Sequence, residues 1–151
     1  MKKIYLAGFD VFYPDSVERG KRLKKLCEKY GFIGLYPLDN ECDTAEEIFS
    51  ANTEMIKNCD IIMANVNCFR GNEPDSGTCF ELGFAYALGK KLYCYTDDNR
   101  TLRQKIGDFD SEGFCVEDFG FPVNLMLAVP SEIIHGDFEM CLKSIKETEI
   151  D

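Results

Sequence analysis

The chain lacks the glycine-rich signatures that announce the commonest nucleotide and acyl chemistries. No Gly-x-Gly-x-x-Gly, P-loop or Gly-x-Ser-x-Gly elbow occurs in its 151 residues, so dinucleotide, nucleoside triphosphate and serine-hydrolase chemistry all lose support. Positive charge is scarce: 17 Lys and Arg stand against 27 Asp and Glu, a formal net charge of -10 at pH 7. Nucleic-acid affinity comes largely from cationic side chains displacing counterions, so no nucleic-acid partner is expected, and a neutral small substrate fits better than a polyanion. Histidine is nearly missing, with His135 alone, and the 8 cysteines are scattered with no Cys-x-x-Cys. No metal site is expected, and the thiols read as small core residues kept reduced. No apolar run approaches the roughly 20 residues of a membrane helix. Met1-Lys2-Lys3 leads into an apolar stretch too short for a secretory signal. A cytoplasmic protein without a membrane partner is expected.

What is present is a globular composition, 45% hydrophobic, at a length that fits one domain over residues 1–151. Strand-like runs at Lys3 to Gly8, Phe32 to Tyr36, Asp60 to Val66, Leu92 to Thr96 and Ile133 to His135 alternate with helical patterns. Asp15-Ser16 offers a cap for a helix over Val17 to Tyr30, with Gly31 as its stop. Thr44 and Glu47 form a capping-box signature for a helix to about Asn58, Pro122 is placed to open a short helix holding Asn124 to Met126, and Asp137 caps a last one. Regular strand-helix alternation implies a doubly wound α/β fold, a parallel sheet covered on both faces.

The most informative stretch runs from Phe69 to Leu88. A polar, Gly- and Pro-punctuated loop follows the buried strand pattern Ile61-Ile62-Met63-Ala64-Asn65-Val66 and passes into an apolar helix. Open α/β sheets bind ligands in such loops at the carboxyl ends of strands. Asp75 in the loop and Glu81 in the helix stand out, with Gly77 between them. A carboxylate among Cys79, Phe80, Leu82 and Phe84 is costly to bury without partners, so it is solvated, paired or functional. Acidic residues near a helix N-terminus also interact well with the macrodipole and often do nothing else. Tyr5 belongs to a strand expected beside them, and Phe9 and Phe12 to the first loop. Paired carboxylates serve displacement at an anomeric carbon, one as nucleophile, and a phenylalanine wall suits a planar leaving group.

Five blocks, Tyr5-Leu6-Ala7-Gly8, Pro37-Leu38-Asp39-Asn40, Asn52 through Asp60, Phe69 through Gly83, and Pro122-Val123-Asn124-Leu125-Met126, together resemble the nucleoside 2-deoxyribosyltransferases in order and over nearly the whole chain. The resemblance implies a flavodoxin-like α/β fold and cofactor-free exchange of one nucleobase for another on a 2'-deoxyribosyl group. By that correspondence Glu81 is the nucleophile, Tyr5 orients it, Asp75 is a substrate-binding carboxylate in the catalytic set, and Phe12 is the wall for the base. Met126 matches a pocket residue beside the sugar and nucleophile, and Asn124 a sugar-binding amide often supplied by a neighbouring subunit of a homo-oligomer. Gly8, Asp39, Asn52 and Gly77 fall in the matched blocks as substrate-binding positions. Asn52 stands where some members have an aspartate, Phe9 where relatives often have proline, and Ile150-Asp151 departs from the carboxyl-terminal aromatic of some members.

Two other readings accompany this one. The first is a deoxynucleoside 5'-monophosphate N-glycosidase, against which Asp10 places a negative charge in the first loop where a phosphate would sit. The second is a non-catalytic nucleotide-sensing domain, in which Glu81 would be dispensable.

Overall fold

The computed structural model describes residues 1–149, and Ile150-Asp151 lies outside the described residues. Strands β1 (Lys3–Ala7), β2 (Ile33–Leu35), β3 (Ile61–Asn65), β4 (Lys91–Thr96) and β5 (Glu132–His135) form one five-stranded sheet in the order β2-β1-β3-β4-β5. All neighbouring pairs are parallel. The longer helices are α1 (Ser16–Tyr30), α2 (Ala45–Asn58), α3 (Ser76–Ala87) and α6 (Phe138–Glu149); α4 (Leu102–Ile106) and α5 (Leu125–Ala128) are short, and a 3-10 turn spans Phe9–Phe12.

Alternation along each strand builds two cores. Tyr5 and Ala7 of β1 join Ile56 of α2 and Leu82 and Ala85 of α3, whereas Ile4 and Leu6 join Cys27 of α1 and Leu142 and Ile145 of α6. A strand between two helical layers has no wet face, which is why every residue of β3 is buried. Cys27, Cys59, Cys94 and Cys141 are buried free thiols of these cores, while Cys68 and Cys115 are exposed. No helix of the described residues is long and apolar enough to cross a membrane.

From β1 the chain goes outward to β2 and then crosses back to β3, so the connections leaving β1 and β3 diverge. The crevice between their carboxyl ends is the switch point where such sheets bind ligands. Register sets Tyr5 beside Ile62 and Ala7 beside Ala64 at this seam.

Local signals hold with two corrections. The Thr44–Glu47 capping box forms, Glu47 N–H donating to Thr44 Oγ1 at 3.2 Å. Asp15 sits at the cap position of α1, but its carboxylate is drawn to Arg22 at 2.7 Å and makes no cap bond. Pro122 does not open a helix: Asn124 is extended, with ψ 141°, so helical backbone begins only at Leu125 and Asn124 becomes the cap.

Candidate active site

Tyr5 is wholly buried in mid-β1, where a phenolic hydroxyl needs a partner. It finds Glu81, in the second turn of α3, donating from Oη to Oε1 at 2.6 Å. Burial pushes the Glu81 carboxyl up to about 7, the hydrogen bond from Tyr5 pulls it partly back, and the charge of Asp75 adds to the rise. Burial and then the Glu81 charge hold the Tyr5 phenol far above its ordinary value. Tyr5 therefore keeps its proton, and Glu81 is the group of the pair that ionises near neutrality.

Glu81 lies where two apolar lobes meet. One, of about 320 Å³, is walled by Phe12, Pro37 and Leu38 and carries Gly8, Asp75 and Thr78. The other, of about 330 Å³, runs between α2 and α3 past Phe49, Thr53 and Phe80. Ile48, Asn52, Gly77 and Glu81 line both. The Asn52 Oδ1 atom is buried without a partner in the protein. Neither lining includes a lysine or arginine.

Asp75 has a structural duty as well: its Oδ2 accepts from Thr78 N–H at 2.9 Å and Thr78 Oγ1 at 3.0 Å, capping α3. Gly77 leaves room for that cap, since a Cβ there would lie 3.2 Å from Asp75 Oδ2. Phe12 is 53% exposed and stacks on Phe69 at 5.3 Å, which in turn stacks on Phe9 at 5.0 Å. The site thus gathers Tyr5, Gly8, Phe12, Asn52, Asp75, Gly77 and Glu81.

Three sequence candidates stand apart from both lobes. Asp39 accepts from Tyr36 N–H at 2.8 Å and pairs with Lys24, which fixes the turn after β2 and orients its carboxylate to the protein instead of the cleft. Asn124 caps α5, and Met126 on that helix is 74% exposed, beside Glu81 in neither lobe of its own chain. The Asp10 charge is also not where the first-loop argument put it. Asp10 is 7% exposed, accepting from Asn65 Nδ2 at 3.0 Å and pairing with Arg19 at 3.3 Å, because a buried carboxylate needs such partners.

The family model for nucleoside 2-deoxyribosyltransferase matches residues 4–126. The chain belongs to this family. A solved 2-desoxiribosyltransferase from Leishmania mexicana is 39% identical, with 99% of each chain covered and a TM-score of 0.91. A CMP N-glycosidase from Clostridium botulinum, 19% identical over 97% of this chain and 99% of that one with a TM-score of 0.55, shares the fold alone. An uncharacterized protein of Schizosaccharomyces pombe is 29% identical over 74% of this chain, and the match spans 57% of that protein's length.

Sequence reasoning missed several parts of this candidate site. Asn65 was the readable one: an amide closing an otherwise apolar strand needs a partner, and through Asp10 it braces the first loop. Phe69 opens the informative stretch without announcing its stacking on Phe12, and Ile48, whose helical spacing places it toward the sheet, instead lines the cleft. Arg70, lying 5.0 Å above the Phe12 ring and 4.6 Å above Phe69, adopts a left-handed φ of 52° that no residue type announces.

Proposed function

We propose that the whole chain acts as one catalytic domain that exchanges nucleobases on 2'-deoxynucleosides by double displacement. The observation that carries the reading is the hydrogen-bonded Tyr5–Glu81 pair at the junction of the two lobes. Ionised Glu81 attacks C1'; the bond from C1' to the base nitrogen breaks, and its electron pair leaves with the base. A second base attacks C1' from the face the first one left, and Glu81 is released as a carboxylate. The proton gained by the departing base equals the one lost by the incoming base, so the exchange balances without cofactor or oxidant. Absence of a 2'-hydroxyl eases positive charge at C1', which makes ribonucleosides poor donors.

Phe12 supplies a face for the base, Asn52, which lines both lobes, a side-chain amide to meet it, and Asp75 a polar contact for substrate. Two carboxylates and no cation in the lining disfavour a 5'-phosphate, which supports nucleosides over nucleotides as substrates. Asn124 and Met126 complete the cleft of a neighbouring copy, so the working form is a homo-oligomer of at least two chains.

Incubation with each 2'-deoxynucleoside, with and without a second free base, tests this. The expected product is the new deoxynucleoside; free base and deoxyribose alone at every acceptor concentration would make the enzyme a hydrolase.

A further inference from the structure

The segment between α4 and α5 has no regular element and lines neither lobe, yet it is firmly built. Its bridge pairs Phe109 with Cys115, Asp110 N–H donates to Phe114 O at 3.0 Å, and Val116 N–H donates to Asp108 O at 3.0 Å. Arg103 of α4 clamps its end through Nη2, which donates to Val116 O at 2.7 Å. The residue delivered by this arrangement is Glu117. Its Oε1 accepts from Asn124 Nδ2, and its Oε2 accepts from Leu125 N–H at 2.9 Å. On the other side Asn124 Oδ1 accepts from Met126 N–H at 2.9 Å.

An amide held this way has one permitted orientation. Exchanging its O and N would set a carbonyl against a carboxylate and an NH2 group against an N–H, two repulsive contacts in place of two hydrogen bonds. One Nδ2 hydrogen and one Oδ1 lone pair of Asn124 are left to offer outward.

We infer that Glu117 is a positioning residue for deoxyribosyl transfer: it locks the Asn124 side-chain amide in the single orientation that presents a defined donor and acceptor to the sugar in the neighbouring cleft. The inference rests on the proposed role of Asn124. Glu117 touches no substrate and acts only through that amide. Glutamine in its place keeps the shape but has one acceptor oxygen for two donors, so one of the two bonds is lost and the amide is freed to turn.

The test is a double-mutant cycle on the full chain, using the 2'-deoxynucleoside donor that turns over fastest in the base-exchange assay. Asn124→Ala is expected to raise the donor KM about tenfold, the factor carried by one hydrogen bond of this kind. Glu117→Gln should raise it by a similar factor with kcat changed much less, and Glu117→Asp should fall between Gln and wild type. In the Asn124→Ala background Glu117→Gln should cost nothing more, because the group it orients is gone. A brace that merely stiffens α5 gives a different result: the Glu117→Gln cost persists in both backgrounds and tracks a lower Tm, which would overturn the inference. A silent Glu117→Gln beside a damaging Asn124→Ala overturns it too, while leaving the proposed role of Asn124 standing. A silent Asn124→Ala removes that role and the inference together.

Discussion

Glu81 combines two demands that conflict in one side chain. As the proposed nucleophile it must be ionised, yet burial favours its neutral form and holds its carboxyl at about 7 in the fold against an ordinary 4.5. Between those values the folded chain binds the proton more tightly than the unfolded chain. The associated stability is therefore complete below pH 4.5 and is lost as pH rises through about 7. Glu81→Gln should accordingly raise Tm over wild type at pH 8, by an increment worth on the order of 1–3 kcal/mol, and change it little at pH 4.5; equal effects at both would contradict the assignment. Glu81→Gln and Glu81→Ala should both abolish transfer. Mass spectrometry after treatment of wild type with a 2-fluoro-2-deoxy nucleoside should place the sugar on the Glu81 peptide, and an adduct on Asp75 would reverse the two carboxylates. Tyr5→Phe removes the hydrogen bond that lowers the Glu81 value, so the acid limb of kcat/KM should move to higher pH. The loss should be on the order of 10²-fold at pH 7 and smaller at pH 9, and a pH-independent loss would deny Tyr5 this electrostatic role.

At the scale of elements the first turn depends on Gly8. Its φ is 147°, and a Cβ there would meet Asn65 Cβ at 2.7 Å and Asp10 Oδ2 at 3.0 Å, the pair that braces the Phe9–Phe12 turn. Gly8→Ala should lower the urea midpoint by an amount worth about 1–3 kcal/mol and raise the donor KM as Phe12 shifts; an unchanged midpoint would show that the turn absorbs the methyl. Such close approaches mark what the sequence leaves unread. The strands, the Thr44–Glu47 box and the paired positions of Glu81 and Tyr5 were legible because each follows from local pattern or motif. Which partner Asp10, Asp15 or Asp39 would choose was not. Arg19, Arg22 and Lys24 all lie on α1, and only the folded chain decides which carboxylate each one meets. Pro122 misled for a similar reason: its fixed φ suits a helix start, but the extended backbone of Asn124 delays the helix.

Across the whole molecule the apolar surface and the unfilled parts of the site point to one arrangement. Met126 is 74% exposed and Val129 69%, beside a hollow of about 390 Å³ that also includes Tyr86, while Glu81 opens onto a lobe whose Phe49 and Phe80 are themselves exposed. One chain thus displays an uncovered short helix and, separately, an uncovered cleft. In the homo-oligomer proposed above a second copy would join them, α5 of each subunit covering the cleft of the other. Light scattering should then find no active monomer. The sharper test uses subunits that are inactive or impaired for different reasons. In the proposed scheme Glu81→Ala alone lacks the nucleophile, and Asn124→Ala alone lacks the sugar-binding amide. In a mixed dimer one site carries both defects, while the other pairs an intact Glu81 with an intact Asn124 from its neighbour. Equal mixing with free exchange of subunits should therefore restore full function at about a quarter of all sites, in the hybrid half of the dimers. The readout is a fraction of low-KM sites that grows as subunits exchange and is absent from either variant alone. A mixture that behaves as the sum of its parts, with exchange verified by mass-labelled subunits, would place Asn124 outside the neighbour's cleft.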